Sequence, residues 1–136
     1  MVGRLIQTAR SAYQYLLIFK QLWHTPRVQA QGQEIVYRHL ERFTTSTQAM
    51  MLRLAQLQDE GVMRDEHASL AKAFCTVKCR ETVCYARELL GGNGILLENH
   101  IGRFVADAEA IYSYEGTREM NTLIVGKSIT GLSAFV

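Results

Sequence analysis

Apolar residues in this chain recur at alternating spacings of four and three, and that period leaves few folds open. In the first segment Leu5, Ala9, Ala12, Leu16, Phe19 and Trp23 fall on one line. In the second, Val36, Leu40, Phe43, Thr47, Met50, Leu54 and Leu57 do the same, with Thr47 the one polar member. A seam of this kind marks a helix that packs lengthwise on other helices. Strand alternation is almost absent, and there is one proline, Pro26. His24-Thr25-Pro26 ends the first helix, because the residue before a proline avoids the α region.

The remaining elements follow from local punctuation. Gly61, after Asp59-Glu60, reads as the stop of the second helix. Asp65 reads as the N-cap of a third, which carries Leu70, Phe74, Val77, Cys84, Leu89 and Leu90 over a wide arc and is expected to be the most buried. It stops at Gly91-Gly92. A short helix is predicted over 96–104 and a loop over 107–115. The last helix starts near Thr117 and carries Met120, Leu123, Ile124, Ile129, Leu132 and Phe135. Gly126 and Gly131 interrupt it, each at about 1 kcal/mol relative to Ala. A close approach of another backbone or of a ligand would explain them. The expected fold is all-α, an up-down four-helix bundle with crossing angles near ~20° and a short extra helix and loop before the last helix. At 136 residues, the chain fits one domain spanning 1–136.

Composition excludes several functions. A net charge of +2, with no Lys/Arg block, gives no track for nucleic acid or an anionic membrane. No apolar run approaches the ~20 residues of a membrane span. The three cysteines, Cys75, Cys79 and Cys84, lie in one predicted helix, which argues against a disulfide framework. Cys75 and Cys79 share a face, yet two thiols with His67 eight residues away make a poor zinc set. No metal site is expected, and buried, reduced thiols suit an intracellular compartment. Met50 and Met51 read as core filler. His24, His39 and His67 have no evident partner; Arg103 and Asp107 read as a surface pair, with His100 structural beside them.

Two tracts carry candidate chemistry. In Tyr114-Glu115-Gly116-Thr117, Glu115 stands where a helix begins. A carboxylate shielded from water by Tyr114 would be a competent base near neutral pH. Gly116 would let a ligand approach the backbone, and Thr117 would cap the helix or touch the ligand. The plainer alternative is a solvated acid at the favourable end of a helix dipole. Upstream, Gly91-Gly92-Asn93-Gly94 is either a helix stop and turn or a set of backbone N–H donors for a pyrophosphate. It follows no strand, so it is neither a Rossmann fingerprint nor a P-loop.

In this order, on a helical chain, the motifs resemble the C-terminal domain of the acyl-CoA dehydrogenase flavoprotein family, and most nearly its glutaryl-CoA dehydrogenase-like branch. The carrying residues are ARELLGGNGI from Ala86, then His100, Arg103, Glu109-Ala110, YEGT, Leu123-Ile124 and Gly126-Lys127-Ser128-Ile129-Thr130-Gly131. Asp59-Glu60-Gly61 and Ser69-Leu70-Ala71-Lys72 also fit. The resemblance implies that Glu115 is the catalytic base for α,β-dehydrogenation of an acyl-CoA, and that FAD accepts the hydride. It implies contacts from Gly91, Gly92 and Gly94 to the diphosphate-adenine part of FAD, commonly on a neighbouring subunit. It places Gly116, Thr117 and Glu119 along the flavin. It further implies a homo-oligomer in a mitochondrial matrix, a peroxisome or a bacterial cytoplasm. The chain departs from the family in length, which is about a third of that of family enzymes. Phe19 and Leu22-Trp23 stand where an Arg and Phe-Gly are expected, and Glu88 and Ala106 replace a Gln and an Arg. Isolated, it is expected to bind FAD poorly. The alternative is a non-catalytic helical module for oligomerisation derived from the family.

Overall fold

The computed structural model describes the backbone of residues 34–134 and the side chains of residues 41–134. The predicted first helix, with Phe19, Trp23 and Pro26, and the terminal Phe135 lie outside the described residues. Within them the fold is helical, with no strand: α1 (Glu34–Asp59), α2 (Asp65–Leu89), α3 (Ile101–Ser113) and α4 (Arg118–Thr130). Two 3-10 turns, Gly91–Ile95 and Leu97–Asn99, join α2 to α3.

Helix α1 ends as its sequence requires. Gly61 takes φ 70°, its N–H donates to the Gln58 carbonyl, and Val62 N–H reaches back to Leu57. That pair of bonds is a Schellman stop, which needs a residue at ease in the left-handed region. Thr47, the polar member of the seam, is fully buried and donates its hydroxyl to the Phe43 and Thr44 carbonyls. A hydroxyl satisfied within its own helix can sit in a core without the cost of an unpaired donor.

Helix α2 packs against α1, α3 and α4 and is the centre of the fold. The N-cap is Arg64, one position earlier than expected, and Asp65 is the first helical residue. Asp65 and Glu66 therefore act through the helix dipole rather than as a cap. The buried face also differs from the predicted one. Ala68, Ala71, Cys75, Cys79, Val83 and Ala86 are buried, while Leu70 is 51% exposed and Cys84 is exposed. The large apolar residues point to the wrong stripe; small side chains are what let neighbouring helices come close.

Helix α3 corrects a second expectation. The stretch 96–104 is not one short helix, and 107–115 is not a loop. A 3-10 turn comes first, and a continuous helix then runs to Ser113. Ile101, Phe104, Ala108 and Ile111 bury one face at spacings of three, four and three. Ala108 hides the period by being small. Burial of Ile101, Phe104 and Ile111 is worth about 1.5–3 kcal/mol each. His100 precedes α3 at φ 62°, a structural corner. Arg103 lies over the Phe104 ring at 5.4 Å. Three contacts show α3 running back along α2. Gly94 meets the Arg87 backbone, Arg80 pairs with Glu109 at 2.6 Å and stacks on Tyr112, and Lys72 reaches residues 114 and 116.

Helix α4 begins at Thr117 and stops at Gly131, whose φ of 74° makes it a terminator rather than an interruption. Gly126 has open space where a Cβ would stand, so no close backbone approach explains it among the described residues. Only Asn121 of α4 is buried.

Burial pushes the Cys75 and Cys79 thiols from 9.0 up to about 12. Both are neutral in the fold at pH 7, and Cys84 is the exposed thiol. A raised folded pKa gives stability that is complete below the unfolded value and is lost as pH rises toward the folded one. The window here runs from pH 9 to about 12. At pH 10 each buried thiol is expected to cost about 1 kcal/mol of stability, which its replacement by Ala would remove from the pH dependence. Urea unfolding of wild type, Cys75→Ala and Cys79→Ala at pH 8 and pH 10 measures it. Equal pH slopes would refute the assignment.

Candidate functional site

The strap between α3 and α4 brings four of the predicted residues together. Tyr114 ends α3 in an extended conformation, and Glu115 follows at φ 57°. Gly116 takes φ 91° and Thr117 caps α4. A non-glycine residue in the left-handed region costs roughly 1–2 kcal/mol, so the surrounding structure must hold Glu115 there. Two successive positive φ angles explain Gly116 without a ligand, because a Cβ at that position would be strained whatever the space.

Thr117 fulfils its capping role: its Oγ1 accepts from Met120 N at 3.4 Å. Glu119 stands in the first turn of α4. A hydrogen bond from its own backbone N–H, then one from the Thr117 hydroxyl, holds its carboxyl below the usual carboxylate range. The N-terminus of α4 is thus already served by one hydroxyl and one carboxylate.

Glu115 is not shielded from water. Both it and Tyr114 are exposed, Tyr114 by 44%. The expectation that Tyr114 covers the carboxylate is corrected: Tyr114 is the C-cap of α3, is itself exposed, and is held through its carbonyl, which accepts from Lys72. Any desolvation of Glu115 must come from something that binds over the strap.

Two residues that the sequence does not mark as functional hold this strap. Lys72 of α2 is 1% exposed, and its Nζ donates to the Tyr114 carbonyl at 2.7 Å and to the Gly116 carbonyl. Asn121 of α4, also 1% exposed, donates from Nδ2 to Gly116 O at 3.0 Å and to Thr117 O at 2.8 Å. Burial lowers the Lys72 pKa, and the Glu115 charge opposes that shift. A signal does exist in the sequence. Lys72 falls among Ala68, Ala71, Cys75 and Cys79 on a stripe of small residues, and on a buried stripe a charge needs a partner.

The glycine tract lies elsewhere. Gly91 takes φ 56° just past the end of α2, and the turn continues as a 3-10 helix. Gly94 is buried, and a Cβ there would run into the Arg87 carbonyl. Gly92 is exposed, has no positive φ, and has open space where a Cβ would stand, so neither backbone strain nor packing accounts for it. Asn99 Nδ2 donates to Asn93 O at 2.8 Å and closes the turn. From Lys72 under the strap to Leu89 before the glycines there are seventeen residues of one helix, about 25 Å at 1.5 Å per residue. The structure therefore does not bring Glu115 and the glycine tract into one site within the chain.

No group of three or more metal-ligating side chains occurs among the described residues. No described helix is long and apolar enough to cross a membrane.

Comparison with known proteins bears on the family and the fold. The family profile described as "Acyl-CoA dehydrogenase, C-terminal domain" matches residues 4–130. The crystal structure of glutaryl-CoA dehydrogenase from Mycobacterium smegmatis aligns with a TM-score of 0.75 at 28% identity, over 99% of this chain and 36% of that one. A second structure, of a glutaryl-CoA dehydrogenase from the same organism in complex with FADH2, aligns with a TM-score of 0.68 at 26% identity, over the same shares. An acyl-CoA dehydrogenase of Bacillus subtilis (strain 168) is 31% identical over 77 residues, 57% of this chain and 20% of that protein. The chain thus spans about a fifth to just over a third of the length of these relatives.

Proposed function

The chain belongs to the acyl-CoA dehydrogenase family through that family's C-terminal domain, and from this membership we propose that it supplies the base-bearing part of a flavin-dependent acyl-CoA dehydrogenase. The observation that carries the reading is the strap. Glu115 is presented to solvent from a left-handed turn whose flanking carbonyls are tied to a buried lysine. In this reading the Glu115 carboxylate takes the α-proton of an acyl-CoA thioester. That proton is only weakly acidic, so removal needs a base fixed within hydrogen-bond reach. FAD, when bound, accepts the hydride from the β-carbon. The bound thioester covers Glu115 and excludes the water that now reaches it.

The residues fit such a dinucleotide in two places. Gly116 and Thr117 are exposed at the start of α4, and the absence of a side chain at Gly116 lets a ligand approach the backbone there. Glu119 lies in the same first turn. Gly91, Gly92 and Asn93 present an exposed turn, and Gly92 has no structural reason to be glycine. Because these two places stand about 25 Å apart along α2, we assign them to two different flavins of a homo-oligomer: the strap to one, the glycine turn to its neighbour's diphosphate. The FADH2 complex of the similar Mycobacterium smegmatis enzyme supports the choice of cofactor.

The exposure of Glu115 and Tyr114 favours one second reading, a helical oligomerisation module without catalysis. One experiment separates them. The full-length protein is purified and its flavin absorbance followed anaerobically after addition of short-chain, long-chain and dicarboxylic acyl-CoA thioesters. Stoichiometric flavin that bleaches with at least one of them is expected; absence of flavin, or flavin that no thioester bleaches, selects the module. Residues 1–136 alone are expected to bind FAD poorly.

A further inference from the structure

Among the described residues, Lys72 is the buried charge that the proposed reaction does not use directly. It sits on the second turn of α2, forty-three residues before Glu115 in sequence, and at 1% exposure its ammonium has lost its water. A buried cation is tolerated only where hydrogen-bond acceptors replace that water. Its acceptors are the carbonyls of Tyr114 and Gly116, the two residues on either side of Glu115. Asn121 adds a second donor to the Gly116 carbonyl and one to Thr117. Four hydrogen bonds from two buried side chains thus converge on three carbonyls around Glu115, which itself holds φ 57°. No such convergence is needed to stop α3 or start α4, since Tyr114 N–H and Thr117 Oγ1 already do so.

We propose that Lys72 is a positioning residue for Glu115: its ammonium bridges the flanking carbonyls, locks the left-handed turn, and so fixes where the carboxylate meets the substrate α-carbon. The inference rests on the reading of Glu115 as the base. The electrostatic coupling of Lys72 to Glu115 has the sign the arrangement needs, attraction between an ammonium and a carboxylate. Asn121 serves the same end from α4, with one donor group shared between two carbonyls.

The test has an arm that does not depend on catalysis. In the full-length protein, Lys72→Met keeps most of the length of the side chain and removes the charge and the donors. Hydrogen exchange read by mass spectrometry is expected to rise about tenfold or more in the peptide spanning 112–118, and to stay unchanged elsewhere in the domain. Flavin content is expected to be retained. The rate of flavin reduction at saturating acyl-CoA is expected to fall about tenfold or more, with the half-saturating concentration within about twofold of wild type. Exchange that is unchanged at 112–118, or raised uniformly across the domain, overturns the proposal, as does an unchanged reduction rate in an enzyme that Glu115→Gln inactivates. If Glu115→Gln keeps full activity, the base reading fails, while the exchange arm still decides whether Lys72 locks the turn. Should Lys72→Met not fold, the wild type answers instead. The 15N resonance of the Lys72 ammonium is expected to show protons exchanging far more slowly than those of exposed Lys127. Equal rates overturn the proposal.

Discussion

Full-length protein carrying Glu115→Gln is expected to keep its flavin and to lose acyl-CoA-dependent flavin reduction by at least ~10²- to 10⁴-fold, the usual contribution of a positioned general base. The amide has nearly the shape of the carboxylate, so the strap should keep its turn, and Lys72 keeps both carbonyl acceptors. What goes is the one group at the strap able to take a proton at neutral pH. Tyr114 is a phenol, and Thr117 is committed to Met120 N and Glu119. Stopped-flow reduction at saturating thioester isolates the chemical step. A variant that reduces its flavin at the wild-type rate removes Glu115 from the role. A variant that loses flavin instead points to the carboxylate as part of cofactor binding. The half-saturating concentration should change little, since a base that acts in the transition state contributes mainly to the rate.

What the sequence tells and withholds follows a physical line. Stops built on glycine are legible: Gly61 and Gly91 end helices with positive φ, as their positions suggest. The seam of α1 is legible through Thr47 because one hydroxyl in an apolar period still reads as a buried face. Helix α3 is hard to see because Ala108 contributes little to a pattern weighed by large side chains, although Ile101, Phe104 and Ile111 keep the period. The face of α2 misleads for the same reason in reverse. Leu70 is large and exposed, whereas Ala68, Ala71 and Cys75 are small and buried. In the site, Glu115 is marked by its neighbours in sequence, but its support comes from Lys72 and Asn121, which reach it only through the fold. The strap and the glycine tract read as one unit along the chain. Helix α2 separates them, because α3 returns the chain to its other end.

Gly94→Ala and Gly92→Ala, two residues apart, are expected to fail in opposite ways. A Cβ on Gly94 meets the Arg87 carbonyl, which belongs to the last turn of α2 and cannot swing aside as a side chain would. Either the 3-10 turn or the end of α2 must shift. Overpacking of this kind costs about 1–3 kcal/mol, and backbone as the obstacle puts the expectation near the top of that range. Thermal unfolding of the domain should fall by roughly 10 °C. A Cβ on Gly92 meets nothing and has no positive φ to strain, so stability should stay within about 0.5 kcal/mol of wild type. If the exposed turn lies against a neighbour's diphosphate, the same methyl group intrudes on the ligand. Flavin content of the full-length oligomer should then fall in Gly92→Ala, and added FAD should restore it. Calorimetry on both variants, with flavin counted per chain, gives the answer. A Gly92→Ala protein with full flavin and wild-type stability would leave Gly92 with no role at all, and would confine the tract's contribution to the packing of Gly94 on α2.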